Sequence, residues 1–400
     1  MNVLFLTHRL PFAPNRGDRI RAFHVARYLA PRTDLHIVSL VHDRAEEAQA
    51  DSLRRLGIRV STAPAPRVRN RAGAAVGLLT ARPLTHFLLD SPALPGILRR
   101  IVRERRPDVV LAYCSGAAAW ALEPPLADVP LVLDLVDVDS AKWAALASKA
   151  APPLSWVYRR EAKCLARFER RAAEAARATI VVNERERAAL LRVCPNVAAH
   201  VVPNGLDVDA FRPIDVPASA PRVVFPAVFN YAPNVDGALW FAEHVWPRVR
   251  AQVPGAVLTL AGASPAACIR RLTRRDASIE VTGAVDDIRP YLWRSAVAVA
   301  PIFTARGVQN KVLEAAASGL PAVVTREVWE GLPAEVMPAC QLVETSEAFT
   351  TAIVALLGMS PAERRRTADS ARLASLAWPQ RLTRLAQLLE SATATRAACA

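Results

Sequence analysis

The stretch Val297–Val324 constrains the fold more than any other part of the chain. It reads Val-Ala-Val-Ala-Pro-Ile-Phe-Thr-Ala-Arg-Gly-Val-Gln-Asn-Lys-Val-Leu-Glu-Ala-Ala-Ala-Ser-Gly-Leu-Pro-Ala-Val-Val. Val297–Ile302 is an apolar run of buried-strand length. Gly307 permits a tight backbone path ahead of a helix. Gln309–Ser318 fits that helix, which Gly319 ends, with Pro321 just beyond. Ala322–Val324 then resumes a strand. Strand, loop, helix, stop and strand form a βαβ unit. Such a unit belongs to a parallel sheet, and its loop lies at the carboxyl edge, where ligands bind.

The same alternation runs through the rest of the chain. In the first half, strands are predicted at Asn2–Thr7, Leu35–Val41, Arg59–Thr62, Asp108–Tyr113, Leu131–Val136, Thr179–Val182 and Ala199–Val202. Helical stretches lie between them, including Asp18–Ala30, with Asp18 as its cap, and a long one over Trp156–Ala176. The pattern lapses around Asn204–Pro221, where Pro203, Pro213, Pro217 and Pro221 mark a linker. It then restarts with Val223–Pro226, a helix over Val235–Val253, and strands at Val257–Ala261, Ile279–Thr282, Val297–Ile302, Ala322–Thr325 and Gln341–Val343. Two α/β domains with parallel, doubly wound sheets follow. A length of 400 residues lets each bury its own core.

No apolar run reaches the roughly 18–20 residues of a membrane helix. Met1–Leu6 lacks a basic leader region and reads as the first strand, so a cytoplasmic protein is expected. The six cysteines have no metal-ligand spacing and read as buried thiols. The formal charge is +14, carried almost wholly by arginine. Basic runs at Arg67–Arg71, Arg99–Arg106 and Arg159–Arg177 all fall in the first half. Interleaved glutamates make much of this ordinary helix-surface pairing. The clustering also suits peripheral contact of the N-terminal domain with an anionic membrane. Nucleic acid is not expected as a partner, because no stacking pattern or docking motif accompanies the charge.

Lys311 and Glu314 lie three residues apart near a helix start, so they share a face. That start offers N–H groups and a positive dipole end to an anion. A cation for phosphate beside a carboxylate for ribose hydroxyls suits a nucleotide sugar. The segment Gly307–Gly319 resembles the C-terminal signature of the GT-B glycosyltransferase superfamily, in its retaining family 4. Pro203-Asn204-Gly205-Leu206-Asp207 resembles the same family's interdomain segment. Thr7–Pro11, Gly17–Arg21 and Asp134–Ser140 are similar to the sugar transferases of PEP-CTERM/exosortase exopolysaccharide clusters. The resemblance covers about residues 1–390.

It implies a GT-B fold of two Rossmann-like doubly wound domains facing a central cleft. Residues 1–205 would be the acceptor domain and 206–377 the nucleotide-sugar donor domain, with a final helix 378–394 packing back on the first. Glu314 would hold the ribose hydroxyls, and Lys311, with Asn310 and Gly307, would lie near the diphosphate. Separately from the resemblance, the turn Thr282-Gly283-Ala284-Val285 after a strand either holds the base through the backbone at Gly283 or is an ordinary turn. Gly17 would let the backbone approach the diphosphate, with Arg9, Arg16, Arg19 and Arg21 nearby. Asp137 is the choice for acceptor or sugar hydroxyls, with Ser140 and Lys142 as lesser candidates and Asp134 and Asp139 on the same strand end. The pattern implies no cofactor and no metal. The substrates would be a nucleoside diphosphate sugar and a saccharide or lipid-linked acceptor.

Two departures stand out. Relatives often carry a pair of glutamates separated by seven residues, and the first would fall at Arg306. That residue either clamps a phosphate or a sugar carboxylate, or is a surface arginine. Phe225–Asn234 also lacks the basic phosphate-binding residues usual there. The reaction implied is sugar transfer with retention. The rivals are a nucleotide-sugar epimerase on the same fold, and a non-catalytic saccharide- or membrane-binding partner of polysaccharide assembly.

Overall fold

A computed structural model describes residues 1–12, 17–148, 150–214, 221–304 and 308–397. The chain folds as two compact units. One is Met1–Gly205 together with the segment from Arg381, and the other is Leu206–Gln380.

The first unit is built on seven strands, β1 (Asn2–Thr7), β2 (Asp34–Val41), β3 (Arg59–Pro64), β4 (Val109–Tyr113), β5 (Leu131–Val136), β6 (Ala178–Val181) and β7 (Ala199–Val201). Every pair is parallel, in the order β3-β2-β1-β4-β5-β6-β7. β1 and β4 are buried throughout, which is why they read as continuous apolar runs with no alternation. The final helix, Thr383–Ala397, belongs to this unit and packs near β4 and β5.

The second unit has six parallel strands. They are β8 (Arg222–Pro226), β9 (Val257–Ala261), β10 (Ile279–Val281), β11 (Val297–Ala300), β12 (Ala322–Val324) and β13 (Cys340–Leu342), in the order β10-β9-β8-β11-β12-β13. In each sheet the order reverses beside the first strand, between β1 and β4 and between β8 and β11. The loops leaving those pairs diverge to opposite faces and open a crevice at the carboxyl ends.

Several local expectations need correction. β11 stops at Ala300 because Pro301 cannot continue the ladder. The helix expected over Val235–Val253 is two helices, Ala232–His244 and Trp246–Gln252, each opened by a proline in its first turn. The helix expected from Asp18 starts at Gly17. The linker reading fails at its near end. Leu206 is buried, its N–H donates to the Leu376 carbonyl at 2.8 Å, and Asp207 caps a short helix, Val208–Phe211. The last helix is likewise two pieces, Trp378–Arg381 and Thr383–Ala397.

Among the described residues, no helix is long and apolar enough to cross a membrane.

Candidate functional site

The crevice of the second unit is set by two close backbone approaches. A Cβ at Gly237 would lie 2.1 Å from the Pro301 carbonyl oxygen, so only glycine lets the helix Ala232–His244 sit against the end of β11. A Cβ at Gly262 would lie 1.9 Å from the Ala227 carbonyl oxygen, and its φ is +147°. That glycine lets the turn after β9 reach the turn after β8.

The helix Asn310–Ala317 starts in this crevice. Its C-terminus closes as a Schellman motif: Gly319, at φ +77°, donates to the Ala316 carbonyl and Leu320 to the Ala315 carbonyl, each at 3.0 Å. Its N-terminus is left open, since the Gln309 side chain makes no capping bond. The amides of the first turn therefore keep their anion-binding character.

Lys311 stands in that first turn. Its Nζ donates to Asn234 Oδ1 at 2.9 Å and lies 5.0 Å from the centre of the buried Phe225 ring. Asn234 is buried in the first turn of the helix after β8, and its Nδ2 donates to the Val228 carbonyl at 2.9 Å. That second bond fixes which end of the amide faces the lysine. Burial lowers the Lys311 pKa from its ordinary 10.5 to about 8, opposed by the Glu314 charge. Burial raises Glu314 from 4.5 to about 7, opposed by Lys311. Each is half-buried and Asn310 is exposed beside them. A half-buried cation, a carboxylate one turn on and free helix amides together suit a ligand carrying both phosphate and vicinal hydroxyls.

Asn234 was not singled out in the sequence. The signal was there: Tyr231-Ala232-Pro233-Asn234 directly after a strand reads as a helix start, which places Asn234 in the crevice. Gly283 does adopt positive φ, +71°, but follows β10 at the sheet edge. Two strand spacings, roughly 10 Å, separate that edge from β8. Arg306 and Gly307 lie outside the described residues.

In the first unit the candidates sort by what they already hold. Arg21 and Asp134 are each about 1% exposed and paired at 2.9 Å, and Arg21 Nη1 also donates to Asn204 Oδ1 at 3.1 Å. Arg19 donates to the Phe12 carbonyl at 3.2 Å and pairs with Glu46 at 3.0 Å. The expectation that Arg19 and Arg21 flank a diphosphate is therefore corrected: both are spent inside the unit. Arg16 lies outside the described residues, and Gly17 opens the helix after β1. Arg9 follows β1 and is half-buried.

Ser140 is corrected likewise. It is buried and donates its N–H (3.0 Å) and its hydroxyl to Glu169. Glu169 is fully buried and raised to about 7 by desolvation. Glu186 accepts the Val138 N–H at 2.8 Å. The start of the helix Asp139–Ala147 thus already carries two protein carboxylates, which repel a ligand anion there. Asp139 accepts from Ser115 at 2.8 Å. Asp137 is left exposed on the crest, next to Val136 at φ +64°. A β-branched residue in the left-handed region is strained, and a bulge between Asp134 and Val136 accompanies it. Lys142 is exposed one turn further on. At the reversal point itself, the ring of His8 stacks on Tyr113, centroids 6.0 Å apart.

Among the described residues no group of three His, Cys, Asp or Glu is placed to hold a metal.

Comparison with known proteins agrees with this layout. Residues 16–205 match the family model described as a glycosyl transferase 4-like domain, and residues 220–359 that described as glycosyl transferases group 1. No curated protein matches the chain by sequence. Among solved structures, sucrose-phosphate synthase from Thermosynechococcus elongatus is 18% identical with a TM-score of 0.65, covering 99% of this chain and 100% of its own. Anabaena Alr3699/HepE in complex with UDP is 15% identical with a TM-score of 0.62, covering 98% and 100%. WaaG, a glycosyltransferase involved in lipopolysaccharide biosynthesis, is 14% identical with a TM-score of 0.58, covering 98% of both. At such identities the likeness is one of fold.

Proposed function

We propose that this GT-B glycosyltransferase moves a sugar, with retention, from a nucleoside diphosphate sugar to a saccharide or lipid-linked acceptor. The product would be an exopolysaccharide or another cell-surface glycan, as in the PEP-CTERM-associated enzymes its motifs resemble. The observation that carries the reading is the Lys311–Asn234 bond beside Glu314 at an uncapped helix start. A structure of the same fold, the Anabaena protein, is described with UDP and with UDP-glucose, which supports this class of donor.

In this reading Glu314 accepts the ribose hydroxyls. Lys311 and the first-turn amides, with Asn310, face the diphosphate, and Arg306, Gly307 and Arg9 add to that charge balance. Gly283 holds the base through its backbone, and Gly17 lies close to the donor. The bond from the anomeric carbon to the leaving phosphate breaks as the acceptor oxygen bonds on the same face. The acceptor's proton passes to the leaving phosphate oxygen, so no protein base is required. The chain's contribution is to orient the donor and to balance charge on the leaving group, without a metal. Asp137 orients the acceptor hydroxyl from the first unit. The enzyme works on the cytoplasmic side, with the N-terminal unit touching an anionic membrane.

A thermal-shift series against UDP, GDP, ADP, CMP and dTDP, with Glu314→Ala beside the wild type, tests the donor site. A nucleotide at a hundred times its dissociation constant stabilises by about 2.7 kcal/mol. One nucleotide stabilising the wild type and not the variant supports the reading. Equal stabilisation of both removes Glu314 from its role, and no response to any nucleotide rejects the donor site.

A further inference from the structure

We infer that the first unit carries a membrane-docking surface, built from the helix Leu154–Ala175 and the turn that follows the helix Arg67–Gly77, and that its occupant is an anionic lipid bilayer. The inference gives a location to the membrane part of the reading above and rests on that part alone, not on the transfer chemistry.

A groove of about 540 Å³ runs between these two elements. Leu78, Leu79 and Trp156 line it together with Arg159, Lys163 and Arg167. Leu79 is 92% exposed and Trp156 62%. Single exposed apolar residues are commonplace, but here three large ones share the rim of one groove. Trp156, Arg159, Lys163 and Arg167 recur at spacings of three and four, so they form one stripe along the helix. Among the described residues Arg159 bonds to Ser155 of its own helix, and Lys163 and Arg167 form no ion pair. The acid nearest in sequence, Glu161, is buried and occupied. It accepts the N–H groups of Leu84 and Thr85 at 2.7 and 2.9 Å and the Thr85 hydroxyl at 2.8 Å.

The exposed leucines sit on a turn that the fold holds in place. Arg160 pairs with Glu161 at 3.1 Å and donates to the carbonyls of Gly77, Thr80 and Arg82. A clamp of this kind gives the turn one shape, yet it presents Leu79 to water, where the isolated unit gains nothing from it. An exposed Trp, two leucines and a row of cations without an ion pair among the described residues match the headgroup and upper acyl region of an anionic bilayer. The apolar side chains enter while the cations, on flexible stems, stay at the phosphates.

The test is co-sedimentation of the full chain with vesicles of equimolar phosphatidylglycerol and phosphatidylcholine, beside vesicles of phosphatidylcholine alone. Three double variants accompany the wild type: Leu79→Ser with Trp156→Ser, Lys163→Glu with Arg167→Glu, and Arg271→Glu with Arg274→Glu on the exposed face of the helix Ala267–Arg275 in the second unit. The nucleotide thermal shift, read on each, reports folding and the donor site separately from the surface. Expected is salt-sensitive binding to the anionic vesicles, weakened about tenfold or more by either of the first two variants and not by the third. The surface is overturned by equal binding to both vesicle types, by no binding, by groove variants that bind as the wild type does, or by equal weakening in the third variant. Displacement by inorganic phosphate at matched ionic strength also overturns it, since that marks a phosphate pocket and not a bilayer face. Groove-dependent vesicle binding without any nucleotide shift leaves the surface standing and rejects the donor site alone.

Discussion

Lys311 and Asn234 are 77 residues apart in the chain, yet the lysine ammonium donates to the asparagine carbonyl oxygen at 2.9 Å. The bond joins the first turns of the helices that follow β11 and β8, the two strands at which the order of the second sheet reverses. In the proposed reading this one lysine, aimed by a fixed amide, stands in for the basic residues usual after the first strand, beside the first-turn amides of its own helix.

Nucleoside diphosphate affinity should pass through a maximum between about pH 7 and pH 8. Glu314, raised from 4.5 to about 7, must be ionised to accept ribose hydroxyls, so affinity rises as pH climbs through 7. Lys311, lowered from 10.5 to about 8, must be protonated to meet phosphate, so affinity falls as pH passes 8. Titration calorimetry across this range should show both limbs in the wild type, and Glu314→Gln should lose the acidic limb and move the basic limb to lower pH, since the Glu314 charge holds the Lys311 pKa up. An acidic limb that survives in Glu314→Gln assigns it to another group.

Asn234→Ala should weaken nucleotide binding by about tenfold to a hundredfold, since a hydrogen bond to a charged group is worth about 1.5–3 kcal/mol. Asn234→Asp should weaken it as well, for a different reason. The new carboxylate pairs with Lys311 and repels phosphate. Calorimetry on both distinguishes positioning of the lysine from a mere packing role, which Asn234→Asp would preserve.

Arg21→Ala should destabilise the first unit by about 3–5 kcal/mol, because it strands the buried Asp134 carboxylate. Replacing both partners with apolar residues of similar volume should cost less than the single change. Urea denaturation of the two variants checks the order, and a costlier double variant contradicts it.

Gly237→Ala should lower the melting temperature by several degrees and weaken nucleotide binding, because its Cβ would press on the Pro301 carbonyl at the mouth of the site. Gly255→Ala meets nothing within 4 Å and should change neither. Similar melting temperatures for the two variants would show that the approach at Gly237 is not needed.

Much of the architecture was legible in the sequence because its determinants are local. Short buried runs such as Val297–Ala300, the stop at Gly319 and the shared face of Lys311 and Glu314 depend on neighbours within a few residues. Local signals also set the limits. Pro301 and Pro247 shortened or split elements that apolar patterning alone had run together.

What the sequence by itself determined is a pair of doubly wound parallel sheets and the helix start that carries Lys311 and Glu314. Tertiary structure decided which charges remain available. Arg21 looked like a phosphate ligand until Asp134, 113 residues away, took it out of solvent. Ser140 looked like an acceptor contact until Glu169 took both its donors. Asp137 stays exposed while its neighbours are occupied, and Asn234 meets Lys311 across 77 residues. Hydrogen-bond donors and acceptors are exhausted by their first good partners. Those partners are set by strand order and helix packing, which no stretch of sequence contains on its own.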